Sequence, residues 1–396
     1  MIAMLAAPFA IAAICFLLYR IFKYIEVTEP KLKAFYCILA GVILLAGPVI
    51  ILIAFLMPLG TLKRVLTLIG NYYLGVFLFL FFSLIVCDIV RFIVHLIRKD
   101  KYNLKRAKRA TVWVVIIFTL SASISGIMHA HDLQIVEYNI NINKESKLDS
   151  LDVVLLADLH LGYNVGITEM TDMVNKVNEI NPDVIMIAGD FFTNEFEAID
   201  EPEYMAELLS SMKSKYGTYI VLGNHDIEEK IFCGFTFNLT DEKKSKISIG
   251  EEMEQFLKDC NFNLLYDESV LIDDAFYIYG RPDKKKVNYG NVTRVAAEDI
   301  TKGLDRSLPI ICLDHEPVEQ KELAAAGVDM TLSGHTHAGQ VWPGTILSYI
   351  TSPNYWGLKY FDGMADIVTS GVGLFGPDMR LGTDAEIVNI KVTFGK

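Results

Sequence analysis

Four apolar stretches, each about twenty residues long, crowd the first third of this 396-residue chain, near 2–19, 35–57, 68–90 and 111–128. An α-helix rises ~1.5 Å per residue, so about 20 apolar residues cross the ~30 Å hydrocarbon core of a bilayer. The stretches predict four membrane spans. The fourth, TVWVVIIFTLSASISGIM, is the most polar and still qualifies, because a basic segment precedes it and a hydrophilic chain follows. No Lys or Arg precedes the first stretch and a second follows at once, so it does not read as a cleaved signal peptide.

Charge divides where the apolar stretches end. Residues 1–129 carry 14 Lys+Arg and 4 Asp+Glu, a net of +10, whereas residues 130–396 carry 22 and 44, a net of −22. The whole-chain charge of −12 therefore hides a basic, oily front and an acidic back. We expect two domains, a membrane anchor over 1–129 and a water-facing domain over 130–396. With 52% apolar residues the chain is no disordered acidic protein, and six Cys are too sparse for a disulfide scaffold. Cys233, Cys260 and Cys312 also lack the CxxC spacing of a thiolate metal site.

Orientation follows from Lys and Arg in the short connections. The first holds Arg20, Lys23, Lys31 and Lys33, and the third holds seven basic residues from Arg98 to Arg109. The second has only Lys63 and Arg64. Placing the basic connections in the cytoplasm puts both termini and the acidic domain on the far side, and the fourth span decides that address. Asp88, Arg91 and His95 share one helical face at the start of a basic run and read as headgroup-level residues. Gly41, Gly47 and Pro48 read as helix-packing and kink residues.

From residue 151 onward, short oily strands alternate with helical patterns. LDVVLLAD, DVIMIAGD, TYIVLGNHD, FYIYG, PIICLDHEP, VDMTLSGHTH, ADIVTSG and EIVNIKVTF read as strands. Residues 168–180, 201–216 and 317–326 read as helices. Such alternation argues for a layered α/β domain, in which functional groups collect in loops at the carboxyl ends of the strands.

The histidines are distributed tellingly. His95, His129 and His131 lie in or beside the apolar region, and the other five, His160, His225, His315, His335 and His337, each directly follow a predicted strand. Asp158, Asp190 and Asn224 hold equivalent places in the strings DLH, GD and GNHD. Imidazole with carboxylate suits borderline divalent metals such as Zn, Mn, Fe or Co, whereas Mg or Ca would want mostly oxygen. Two such ions ~3.5–4 Å apart clamp the attacking and leaving oxygens of a phosphate ester. Singly, each residue has an ordinary explanation as a turn or cap; shared composition at five strand ends does not.

The ordered set Asp158-Leu159-His160, Gly189-Asp190, Gly223-Asn224-His225-Asp226, His315 and Gly334-His335-Thr336-His337 resembles the calcineurin-like metallophosphoesterase superfamily. The likeness spans about 150–394. The ending SGHTHAGQVWP with a later GPDMRLG resembles its membrane-anchored bacterial branch, which usually has Gly where Ala338 stands. GNHD in place of GNHE, and the GHTH itself, set the chain apart from the protein Ser/Thr phosphatases of the superfamily.

The resemblance implies a layered, mixed β-sandwich flanked by helices, here preceded by four spans. It also implies two divalent metals, with manganese favoured. Asp158, His160 and His337 would hold the first, Asn224, His315 and His335 the second, and Asp190 would bridge them. A metal-bound hydroxide would attack phosphorus in line. His225, left over as a non-ligand, would face the leaving oxygen, with Asp226 as its orienting partner.

Around this core stand weaker readings. Arg380 is either a substrate-phosphate contact or an ordinary surface ion pair. The segment 227–250, with Phe232, Phe235 and Phe237, is a surface excursion or a cover over the site. The expected activity is that of a membrane-anchored phosphoesterase, a phosphodiesterase over a monoesterase. Its substrate would be a lipid-linked, envelope or nucleotide-derived phosphoester. Nucleic acid is not an expected partner, because a −22 domain repels polyanions. The rival reading, a non-catalytic metal-stabilised sensor or partner-binding domain, predicts a broken motif, and none is broken. A third reading, in which the spans do the work, predicts paired ionisable residues deep in several spans.

Overall fold

The structure is a computed structural model that describes residues 2–26, 29–99, 103–227, 231–232, 235–236, 249–286 and 293–395, with side chains described from residue 10. The chain divides into two compact units. One comprises Met1–Met128 with Ile231–Asn238 and Gly376–Met379; the other comprises His129–Lys230, Leu239–Phe375 and Arg380–Lys396.

The first unit contains helices α1 (Ile2–Tyr24), α2 (Pro30–Leu56) and α3 (Thr61–Arg98), and most of α4 (Leu104–Ala130). Helix α2 begins where Glu29 accepts from the Leu32 N–H at 3.2 Å and Pro30 presets the first helical φ. The expectation of four spans is corrected here. Among the described residues, three helices are long and apolar enough to cross a membrane: α2, α3 and α4. The stretch 2–19 does lie in a helix, but the side chains of its first residues lie outside the described ones. Helix α1, which carries that stretch and has Arg20 and Lys23 near its end, is not among those three.

Helix α1 nonetheless packs with the others, with Leu17 buried against Leu44, Leu84 and Val115. The polar face of α3 is satisfied within this unit. Asp88 pairs with Arg20 and Arg91, and Arg91 donates to the Tyr24 hydroxyl at 2.7 Å. Of the residues read as headgroup-level, Asp88 and Arg91 thus share an ionic cluster with Arg20, which gives a part-buried carboxylate its paired charge.

The second unit is a sandwich of two six-stranded sheets. The first has the order β1-β14-β2-β3-β4-β7, from Leu133–Ile142, Ala385–Phe394, Ser150–Leu156, Val184–Ala188, Thr218–Val221 and Phe262–Leu264. The second has the order β12-β13-β11-β10-β9-β8, from Gly357–Phe361, Met364–Val368, Met330–Ser333, Ile310–Leu313, Phe276–Gly280 and Glu268–Ile272. A two-residue pair, β5 (Ile231–Phe232) and β6 (Phe235–Thr236), stands apart. Both large sheets are mixed. β2, β3, β4 and β7 run parallel and β14 antiparallel to β2, while β9, β10, β11 and β13 run parallel with antiparallel edges.

The alternation of side chains across a strand explains the layers. Val153 and Leu155 of β2 enter the core between the sheets with Met186, Ile311, Leu313 and Leu332. Val154 and Leu156 face the other way, against α5 (Ile167–Ile180) and α6 (Pro202–Ser210) through Met170, Met173, Val177, Met205 and Leu209. Helix α7 (Glu251–Asp259) joins this outer layer through Met253 and Phe256. Beyond the second sheet, Cys312 and Ile310 pack on Leu323 of α8 (Gln320–Ala326). Central strands buried on both faces read as unbroken oily runs, which is why the sequence shows them so clearly. Strand β1 escaped notice because its inward and outward residues alternate.

Candidate metal centre

Strands β2, β3 and β4 of one sheet and β10 and β11 of the other each stop short of the residues named from the sequence. The chain turns sharply there. Asp158, His160, Asp190, His335 and His337 have φ of 53°, 48°, 50°, 69° and 48°, a left-handed region that non-glycine residues rarely occupy. Hydrogen bonds hold these turns: Asp158 N–H donates to the Gly189 carbonyl at 2.9 Å, and His160 N–H to the Asp190 carbonyl at 3.0 Å. Gly334 is required for space, since a Cβ there would overlap the Asp158 carboxylate.

These turns bring the side chains together in two groups. Asp158, His160 and His337 form one, and Asp190, His315 and His335 the other; within each, the possible ligand atoms all lie within 4.8 Å of one another. His160 Nε2 is 3.2 Å from His337 Nε2, which is 3.6 Å from Asp158 Oδ1. In the second group, Asp190 Oδ2 is 3.1 Å from His315 Nε2, which is 3.1 Å from His335 Nδ1. The same Asp190 oxygen lies 3.8 Å from His160 Nε2, so one carboxylate reaches both groups. Asn224 Oδ1 is buried and has no hydrogen-bond partner among the described residues.

The electrostatics match this crowding. Burial, reinforced by the Asp190 charge, pushes the Asp158 carboxyl up to about 8. Burial also raises Asp190, but His315, His225 and His160 outweigh it and hold its carboxyl well below the usual range. Burial drives His160 down to about 3 and lowers His335 and His337 as well. His315 is the exception: Asp190, Asp158 and Asp283 overcome its burial and raise it. Neutral imidazoles and a carboxyl forced to keep its proton describe a buried donor set short of positive charge. Divalent cations supply that charge and release the proton.

The partners of the outward nitrogens add to the fit. His315 Nδ1 faces the Ala188 carbonyl at 2.7 Å, which leaves Nε2 for the centre. His335 Nε2 lies 2.6 Å from Lys285 Nζ and 3.4 Å from Glu316 Oε1. A carboxylate or carbonyl behind a ligating histidine orients the ring and sets its tautomer. The residues present fit a pair of divalent metals.

His225 stands at the rim. Its N–H donates to Asp190 Oδ1 at 2.8 Å, and its ring lies 5.3 Å from that of His160 and 4.4 Å from that of Phe375. The orienting partner expected for it is corrected. Both Asp226 oxygens accept backbone N–H groups, from Phe192 and from Gly223, each at 2.7 Å. Asp226 therefore ties the GD turn to the GNHD turn, because a buried carboxylate takes the nearest unpaired donors. Asn194 Oδ1 faces His225 Nδ1 at 2.6 Å instead.

Arg380 is neither of the things expected of it. It is fully buried, and its guanidinium donates to the carbonyls of Ser370, Gly371, Gly373 and Asp384 at 2.8–2.9 Å. Burial lowers its pKa to about 10, so it stays charged at neutral pH. The loop it grips runs beside Asp158, whose carbonyl accepts from Gly373 N–H at 2.8 Å, and leads to Phe375. Sequence reasoning missed Asn194, Phe375 and Glu316; only the adjacency of Glu316 to His315 was a signal. Most of 227–250, including Cys233 and Phe237, lies outside the described residues.

Residues 151–339 match the calcineurin-like phosphoesterase family. A zebrafish (Danio rerio) transmembrane protein with metallophosphoesterase domain is 30% identical over 335 residues, covering 82% of this chain and 73% of that protein. The cattle (Bos taurus) protein of the same description is 30% identical over 256 residues, 61% of this chain and 53% of that one. An uncharacterized metallophosphoesterase of Campylobacter jejuni is 28% identical over 319 residues, 78% and 77% of the two chains. The likeness is thus not confined to the bacterial branch. With two groups of metal-ligating side chains at the strand ends and these relatives, the chain belongs to the calcineurin-like phosphoesterases, as a metallophosphoesterase domain joined to a membrane-spanning helical region.

Proposed function

We propose that this protein is a membrane-anchored phosphoesterase that uses two divalent metals, manganese favoured, to hydrolyse a phosphodiester. The observation that carries this reading is Asp190 Oδ2, within 3.1 Å of His315 and 3.8 Å of His160, reaching both ligand groups at once. Asp158, His160 and His337 would hold one metal; Asn224, His315 and His335 would hold the other. When bound, the metals supply Lewis acidity and a nucleophile at neutral pH. The chain's own residues do the rest. Buried turns fix the ligands, Phe375 shields one side of His225, and His225 as the imidazolium gives its Nε2 proton to the leaving oxygen, becoming neutral while Nδ1–H stays on Asn194 Oδ1.

The division into anchor and catalytic domain is placed at 129/130. The catalytic domain stands outside the cytoplasm, supported by the seven basic residues between Arg98 and Arg109 that precede α4. That placement depends on α4 alone and is indifferent to the number of spans before it. A substrate linked to lipid or envelope follows from the anchor, and the −22 charge of residues 130–396 disfavours nucleic acid.

The test is hydrolysis of bis-p-nitrophenyl phosphate by the purified full chain with added manganese. Activity that resists both chelation and Asp190→Asn would overturn the reading. Protease accessibility of intact cells tests the sidedness.

A further inference from the structure

Shortly after the GHTH turn, the chain forms a short helix unlike the rest of this acidic domain. Helix α9 (Gly344–Thr351, GTILSYIT) contains no charged residue and buries none of its residues. Ile346, Leu347, Tyr349 and Ile350 are 50%, 64%, 69% and 72% exposed. Nearby, the Tyr349 and Tyr355 rings meet edge to face at 5.6 Å, and Trp356 is 45% exposed with its Nε1 donating to Glu386. Water-soluble domains rarely leave so many large apolar side chains side by side without a partner.

The helix is also tied to the metal centre. Its first residues press on the turn carrying His337: a Cβ on Gly339 would overlap the backbone of Gly344 and Thr345, and Gly344 N–H donates to the Val341 carbonyl at 2.7 Å. Whatever α9 rests on is therefore held close to His337.

We propose that α9 is a lipid-contacting element that seats the metallophosphoesterase domain on the bilayer surface. Two observations select lipid over a second protein. First, only two residues separate the end of α4 at Ala130 from the start of β1 at Leu133, so the domain cannot leave the membrane in which that helix is anchored. A surface tethered by so short a link meets the bilayer at very high effective concentration. Second, the patch combines aliphatic side chains with Tyr and Trp, the residues that sit well at a membrane interface. The contact does not depend on catalysis, so it stands or falls separately from the phosphoesterase reading.

The test places the photoreactive residue p-benzoylphenylalanine at Leu347, at Ile350, or at Glu252 on α7 as a control, in the full chain within its native membrane. All three side chains are exposed, so the substitutions leave the fold intact, which an unchanged melting temperature verifies. The expected result is lipid adducts from positions 347 and 350 at least tenfold above those from 252. Crosslinks to a second copy, crosslinks within the chain, or lipid adducts no higher than the control would each overturn the proposal.

Discussion

His225 Nδ1 and Asn194 Oδ1 lie 2.6 Å apart, whereas the carboxylate of its sequence neighbour Asp226 accepts from the Phe192 and Gly223 N–H groups. The amide is fixed in turn, because Asn194 Nδ2 donates to the Ile227 carbonyl at 2.9 Å. That second bond presents the amide oxygen to the ring, so Nδ1 keeps its proton against Asn194, and the proton given to the leaving oxygen is the one Nε2 carries in the imidazolium.

Replacing His225 by Ala is expected to lower kcat by about 10²–10⁴, the usual worth of a positioned acid or base. Asn194→Ala removes only the positioning and is expected to cost about tenfold, an effect smaller than that of the acid itself. Both variants should keep the wild-type metal content. Metal analysis beside steady-state kinetics separates this outcome from damage to the centre.

Asp190 and His337 should differ in what they release. Asp190→Asn weakens the one carboxylate reaching both groups, so both metals should be lost together. His337→Ala opens only the first group and should leave one metal bound per chain. Titration calorimetry and elemental analysis read the difference without any assay of turnover.

Arg380 supports the centre from behind. Arg380→Ala strands three buried carbonyls and a part-buried one, and with charged hydrogen bonds contributing about 1.5–3 kcal/mol each, the variant should lose at least 3 kcal/mol of stability or fail to fold. Arg380→Lys keeps the charge but cannot reach every carbonyl, and should lie between the two in melting temperature.

A pH effect separate from the metal centre is expected at Glu319. Burial raises its pKa, but Lys284, Arg281 and Arg294 outweigh this and bring it down to about 2. A carboxyl whose folded pKa is depressed contributes stability above its unfolded pKa, and that contribution fades as pH falls from about 4.5 towards 2. Glu319→Gln should therefore destabilise the protein at pH 7 by about 1 kcal/mol, after allowance for solvent screening. The difference from wild type should shrink steadily below pH 4.5 in denaturation experiments.

The strands that flank the centre were legible because parallel strands buried on both faces are written as unbroken apolar runs, LDVVLLAD and DVIMIAGD among them. The ligand candidates were legible because each follows such a run. Strand β1, helix α7 and helix α9 were not, since one alternates, one is mostly charged on its outer face, and one is apolar without being buried.

What the sequence by itself determined is local: where apolar length suffices for membrane helices, where the strands end, and which residue types stand there. Pairings between segments far apart in the chain were decided only by tertiary structure. Asn194 rather than Asp226 faces His225, and Arg380 turns inward to four carbonyls. The reason is physical. A side chain's partner is set by which donors and acceptors folding brings within about 3 Å and shields from water, and adjacency along the chain carries little information about that.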